Sequence, residues 1–138
     1  MTRVDFYLVG NDAVDLAACK LANKAFRLGH RIYVHAADAE AAANIDRLLW
    51  VFHPGSFVPH ELHSDHGNPL TPVVIGHDAP PDASDDVLIN LADQVPECFS
   101  RFQRVAEIVG SSPEQKERAR ERFRFYRDRG YELQTHNL

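Results

Sequence analysis

At 138 residues, with 44% hydrophobic and 25% charged side chains, the chain has the length and composition of one globular domain that buries a core of its own. Its 15 Lys and Arg against 20 Asp and Glu give a net charge of −5, which argues against a surface built for general nucleic-acid binding. No run approaches the ~20 apolar residues of a membrane span, MTRVDFYLVG does not read as a signal peptide, and Cys19 and Cys98, each in an apolar helical pattern, are expected as buried free thiols of a cytoplasmic protein.

In RVDFYLV, Val4, Phe6 and Leu8 alternate on one face with Tyr7 and Val9 on the other, which predicts a strand covered on both sides. NDAVDLAACKLANKAFRLG is predicted as a helix. Asn11 or Asp12 can cap its start, Val14, Ala17, Ala18, Leu21, Ala25 and Leu28 keep helical spacing, and Gly29 stands where a helix stops. HRIYVHA, short and rich in β-branched and aromatic residues, is a second strand. DAEAAANIDRLLW is a second helix, capped by Asp38, with Ile45, Leu48 and Leu49 as its apolar face.

From Val51 to Pro72 the pattern breaks into Pro, Gly and His and reads as loop or short irregular elements. VVIGH and DVLINLA are two strand-length runs joined by the turn DAPPDASD. In PECFSRFQRVAEIV, Phe99, Phe102, Val105, Ala106 and Val109 fall at helical spacing and predict a third helix. The last helix, around 113–129, has boundary signals at both ends: Ser112 as N-cap, Pro113 at the first position, Gln115 completing a capping box, and Gly130 as the stop. The order β-α-β-α-loop-β-β-α-α argues for an α/β sandwich with a mostly parallel sheet, because parallel neighbours need crossover connections.

Enzyme chemistry is weakly signalled. The turn LVGNDAVD has a single Gly and lacks both GxGxxG and GxxxxGK[ST], so no backbone cradle for phosphate is evident, and there is no GxSxG. HELHSDH brings His60, His63, Asp65 and His66 close in sequence, without HExxH spacing. No catalytic or metal-ligating residue is assigned. A small nucleotide- or metal-dependent enzyme using the sheet or the His-rich loop is the alternative reading.

Residues 114–129 hold seven basic and four acidic side chains, so this segment is net +3 and the rest of the chain net −8. Such asymmetry points to a partner. Lys116, Arg120, Phe123 and Arg127 recur at i, i+4, i+7 and i+11, with Arg124 on the flank and Glu114, Glu117 and Glu121 off the stripe. Guanidinium forks around an aromatic ring suit an anionic ligand that carries an apolar group. Trp50, Phe52 and Phe57, in LLWVFHPGSFVPHEL, either plug the core or form a partner surface.

These features together resemble the chi subunit family of bacterial DNA polymerase III holoenzyme. The resemblance runs from FYL at 6–8, through DRLLW…SFVPH at 46–60 and DVLINLA at 86–92, to ARERFRFYRDRGYEL at 119–133. It implies a Rossmann-like α/β fold without a nucleotide site, no catalytic activity and no cofactor. It also implies a place in the clamp-loader assembly through pairing with the psi subunit. The second implied partner is the acidic, Phe-terminated C-terminal tail of single-stranded DNA-binding protein (SSB); no direct nucleic-acid or membrane contact is implied. Carried over by position, Val109, Lys116, Arg120, Phe123 and Arg124 would form the tail pocket. Arg120 would take the terminal carboxylate, Val109 the phenylalanine, and Lys116 and Arg124 the tail's aspartates at longer range. Phe123 stands where the family often has Tyr, and Arg124 where Lys is common. Trp50 and Phe57 match positions that resemble part of the psi-facing surface.

Overall fold

The computed structural model describes residues 1–10 and 13–138, so the capping expected of Asn11 or Asp12 lies outside the described residues. In chain order these form β1 (Arg3–Leu8), α1 (Val14–Arg27), β2 (Ile32–His35), α2 (Ala39–Val51), β3 (His60–Leu62), β4 (Val73–Gly76) and β5 (Val87–Asn90). A 3-10 turn (Phe99–Arg101), β6 (Arg104–Val109), α3 (Pro113–Asp128) and β7 (Glu132–Asn137) complete the chain. The strands make one sheet in the order β3-β4-β2-β5-β6-β1-β7, parallel at every pairing. The expected α/β sandwich is present, and its sheet is wholly rather than mostly parallel.

Period-two alternation sorts the strand residues between two cores. Ile32, Val34, Val73, Ile75, Val87, Ile89, Ala106 and Ile108 face α1 and α2, meeting Ala18, Cys19, Ala22, Ala42, Ile45 and Leu49. Val4, Phe6, Tyr33, Leu88, Val105 and Val109 face the opposite side, where Phe99, Phe102, Ala119 and Tyr126 cover them. Asp38 caps α2, its carboxylate accepting from the Ala41 amide at 2.8 Å. Cys19 is buried in the first core, which pushes its thiol up to about 12.

Residues 96–109 do not form the expected third helix. Phe99–Arg101 is a single 3-10 turn and Arg104–Val109 is strand β6, held between β5 and β1. A strand buried on both faces carries apolar residues at every phase, so its pattern satisfies helical spacing equally well. Long-range pairing decides the outcome. Cys98 accordingly precedes a 3-10 turn and is only partly buried. The segment expected as loop or short irregular elements contains β3, a three-residue edge strand paired with β4. The chain also ends in β7, a largely exposed edge strand against β1.

Candidate functional site

The capping box expected of Ser112 and Gln115 is formed: the Gln115 amide donates to Ser112 Oγ at 3.1 Å, and the Ser112 amide donates to Gln115 Oε1 at 3.4 Å. Pro113 opens α3, and Gly130 follows it with φ of +79°, a conformation that favours glycine. The inner face of α3 buries Ala119, Arg122 and Tyr126. There Arg122 Nε donates to Glu107 Oε1 at 2.9 Å and Arg122 Nη1 donates to the Asp93 carbonyl at 2.8 Å. The Tyr126 hydroxyl donates to Glu107 Oε2 at 2.7 Å, and Asn90 Nδ2 donates to the same carboxylate at 3.0 and 3.1 Å. Burial pushes the Glu107 carboxyl up, and the charge of Arg122 with the hydrogen bonds from Tyr126, Asn90 and Arg122 opposes that shift. This network fixes how α3 is rotated on the sheet, and so fixes which residues face outward.

Between α3 and the carboxyl ends of β1 and β6 runs an open groove of about 490 Å³. Phe6, Leu8, Val9, Val109, Ala119 and Phe123 line it with apolar surface, and Lys116 and Arg120 stand on its α3 side. Phe123 packs on Phe6 with ring centroids 5.4 Å apart. A Cβ at Gly110 would meet the Gln115 carboxamide that closes the capping box. Of the five residues expected at this pocket, Val109, Lys116, Arg120 and Phe123 meet in the groove. Arg124 is exposed on α3 outside its lining. The contributions of Phe6, Leu8, Val9 and Ala119 were not foreseen. For Phe6, Leu8 and Val9 the signal was the apolar end of β1, which meets the end of β6 only through sheet pairing, and Ala119 joins them from the buried face of α3.

The seven cations of the segment are not equally available. Arg122 is buried on Glu107, Arg118 is bound to Asp93, and Arg127 pairs with Asp128 at 3.2 Å. Arg129 lies over the Phe125 ring, 3.5 Å from its centroid. Glu117 was expected off the stripe, yet it reaches Arg120: Arg120 Nη1 donates to Glu117 Oε2 at 2.9 Å. At i,i+3 the two side chains are neighbours on the helix surface although their Cα positions lie on different stripes. Lys116 and Arg124 have no ion pair among the described residues.

On the far side of the molecule, Trp50 and Phe57 are 57% and 63% exposed, with ring centroids 5.8 Å apart. Val51 and Leu62 are also exposed. The His60 ring supports Trp50 from beneath at 4.6 Å, with no exposed side-chain surface. Its Nδ1 lies 2.6 Å from the Val58 carbonyl and its Nε2 lies 3.0 Å from the Asp46 carbonyl, tying α2 to the segment after it. Phe52 instead packs partly buried against the core beneath α1 and α2. The open question of plug or surface thus resolves residue by residue: Phe52 inward, Trp50 and Phe57 outward.

The loop histidines disperse. His60 sits under Trp50, His63 lies edge-on to Tyr33 at 6.4 Å, and His53 contacts Ser56. Among the described residues no group of three or more His, Cys, Asp or Glu could hold a metal ion. At the carboxyl ends of β2 and β5, where α/β sheets often bind nucleotides, a cavity of about 730 Å³ is lined by His35, Asp78, Asp93, Cys98 and Arg101. Arg101 Nη2 donates to the carbonyls of Pro81, Asp82 and Ser84, which ties its guanidinium to the turn before β5. Burial pushes the Cys98 thiol up and lowers His35. No helix among the described residues is long and apolar enough to cross a membrane.

The family model for the DNA polymerase III chi subunit, HolC, matches residues 1–134. The chain belongs to this family. It is 42% identical to the DNA polymerase III subunit chi of Pseudomonas aeruginosa, an alignment covering 100% of this chain and 98% of that protein. The proteins of the same name from Escherichia coli and Haemophilus influenzae are 32% and 30% identical, over 98% and 96% of this chain and 97% and 95% of theirs. In this chi-family chain, the groove and the aromatic patch lie at opposite ends of the sheet order, beside β1 and β7 and beside β3.

Proposed function

We propose that this chain is a non-catalytic adaptor of the clamp-loader assembly in DNA replication. As a single α/β unit it takes the acidic C-terminal tail of SSB in the α3 groove and pairs with the psi subunit through Trp50 and Phe57. The relatives' name, DNA polymerase III subunit chi, supports its place in the polymerase assembly. The observation that carries the reading is the groove itself: an apolar floor with Lys116 and Arg120 along one wall. A peptide ending in phenylalanine presents a ring and a carboxylate on one residue, and the groove offers a partner for each. The ring settles against Val109, Phe6 and Leu8, and the Arg120 fork takes the carboxylate. Lys116 and Arg124 attract the tail's aspartates from farther away.

The Trp50–Phe57 patch fits a different kind of contact. Aromatic surface held rigid by a buried neighbour loses little conformational entropy when a partner covers it, which is the character of binding hot spots. Pairing with psi through this patch leaves the α3 groove open on the other side of the sheet.

Fluorescence-anisotropy titration of an SSB C-terminal peptide tests the reading. A short peptide that must be ordered on binding is expected to have Kd on the order of micromolar. Binding should weaken with salt and fall about ten- to one-hundred-fold in Arg120→Ala. A folded wild type that fails to bind would leave α3 as a solvated face and overturn the assignment.

A further inference from the structure

We propose that Glu117 is a built-in competitor for Arg120, holding the guanidinium in the free protein and lowering the affinity of the groove for any carboxylate ligand. The inference rests on the groove reading above. The two side chains are bonded at 2.9 Å and each is 62% exposed, so the pair can open without disturbing the core. Glu117 is one helical turn before Arg120 and outside the groove lining, while Phe123, which lines the groove, is one turn after it.

An incoming carboxylate meets Glu117 in one of two ways. It displaces Glu117 and takes over its hydrogen bond, or it shares the guanidinium and sits beside a like charge. Either outcome opposes binding by an amount comparable to the ion pair, and exposed pairs are weak. The consequence is a contact that forms readily and releases quickly, since affinity differences within one interface fall mostly on dissociation. Neighbouring carboxylates do not share the role. Glu114 and Glu121 have no hydrogen bond to Arg120 among those described, and Asp128 is bound to Arg127.

The test is a double-mutant cycle on full-length protein, read by anisotropy with a Phe-terminated acidic peptide bearing a free C-terminal carboxylate and with the same peptide amidated. Glu117→Gln should tighten the free-carboxylate peptide roughly two- to five-fold. Glu121→Gln, which makes the same change in net charge, should do less. In an Arg120→Ala background Glu117→Gln should lose its effect, and on the amidated peptide the gain should shrink. Equal gains from Glu117→Gln and Glu121→Gln, or a gain that survives Arg120→Ala, would overturn the competitor and leave the groove reading standing. A folded wild type that fails to bind would sink the competitor and the groove reading together.

Discussion

The inner and outer faces of α3 use the same residue type for opposite ends. Arg122, 6% exposed, faces the sheet and donates to the Glu107 carboxylate and the Asp93 carbonyl. Arg120, two residues earlier, faces out and meets Glu117 alone. The difference teaches that a count of cations overstates what a ligand can use. Arg122 positions the helix; Arg120, Lys116 and Arg124 are what the helix, once positioned, presents.

Removing Arg122 should have the largest effect. Arg122→Leu leaves the Glu107 carboxylate buried without its counter-ion, which costs about 3–5 kcal/mol of stability. Urea denaturation should show it as a lower midpoint. Replacing the charged pair and the hydroxyl that bonds it, Arg122→Met with Glu107→Leu and Tyr126→Phe, should recover most of the loss, because the uncompensated charge rather than the missing pair does the damage. If Arg122→Leu unfolds no more easily than Arg120→Ala, the two faces do not differ as described.

Arg120→Ala is the counterpart on the outer face. Its stability should stay within about 0.5 kcal/mol of wild type, since the pair it removes is exposed. Its affinity for the acidic peptide should fall about ten- to one-hundred-fold, the scale of hydrogen bonds to a charged group. A variant that loses stability and keeps binding would exchange the roles of the two arginines.

How much of this was readable beforehand depends on the range of the deciding interactions. The limits of α3 were legible because Ser112, Pro113, Gln115 and Gly130 act within a turn of themselves. Lys116, Arg120 and Phe123 were legible as one face because helical geometry alone aligns them. The charge on Glu107, by contrast, is matched by residues 15 and 19 positions later in the sequence. Without them RVAEIV reads as helix as readily as strand. β7 was missed because an exposed edge strand such as ELQTHN carries no apolar alternation. The groove floor needed β1 and β6 side by side, which only the sheet order supplies.

The Trp50 patch extends the comparison, because there a buried polar side chain directly supports an exposed contact face. His60→Leu removes both carbonyl contacts and should cost about 1–2 kcal/mol. Trp50 is the single tryptophan of the chain, so its fluorescence reports the patch without labelling. A shifted emission with unchanged peptide binding in the α3 groove would separate the two surfaces. An unchanged emission would mean that Trp50 is held by its own helix.

The smallest expected effects distinguish a cation that touches the ligand from one that only attracts it. Lys116 lines the groove and Arg124 does not, and both lack an ion pair among the described residues. Each should lower peptide affinity about two- to three-fold on substitution by Ala at low salt, as exposed charges acting through water do. Their dependence on ionic strength should differ. The Debye length falls from about 10 Å at 0.1 M salt to about 3 Å at 1 M. A charge acting only from outside the groove is screened first, so the Arg124→Ala deficit should disappear at a salt concentration where part of the Lys116→Ala deficit remains. Arg120→Ala should retain most of its deficit throughout, because a forked hydrogen bond to a partly desolvated carboxylate is made at contact distance. If all three deficits decay together, the groove attracts its ligand by diffuse charge alone, and the distinction between presenting a cation and merely carrying one fails on the outer face of α3.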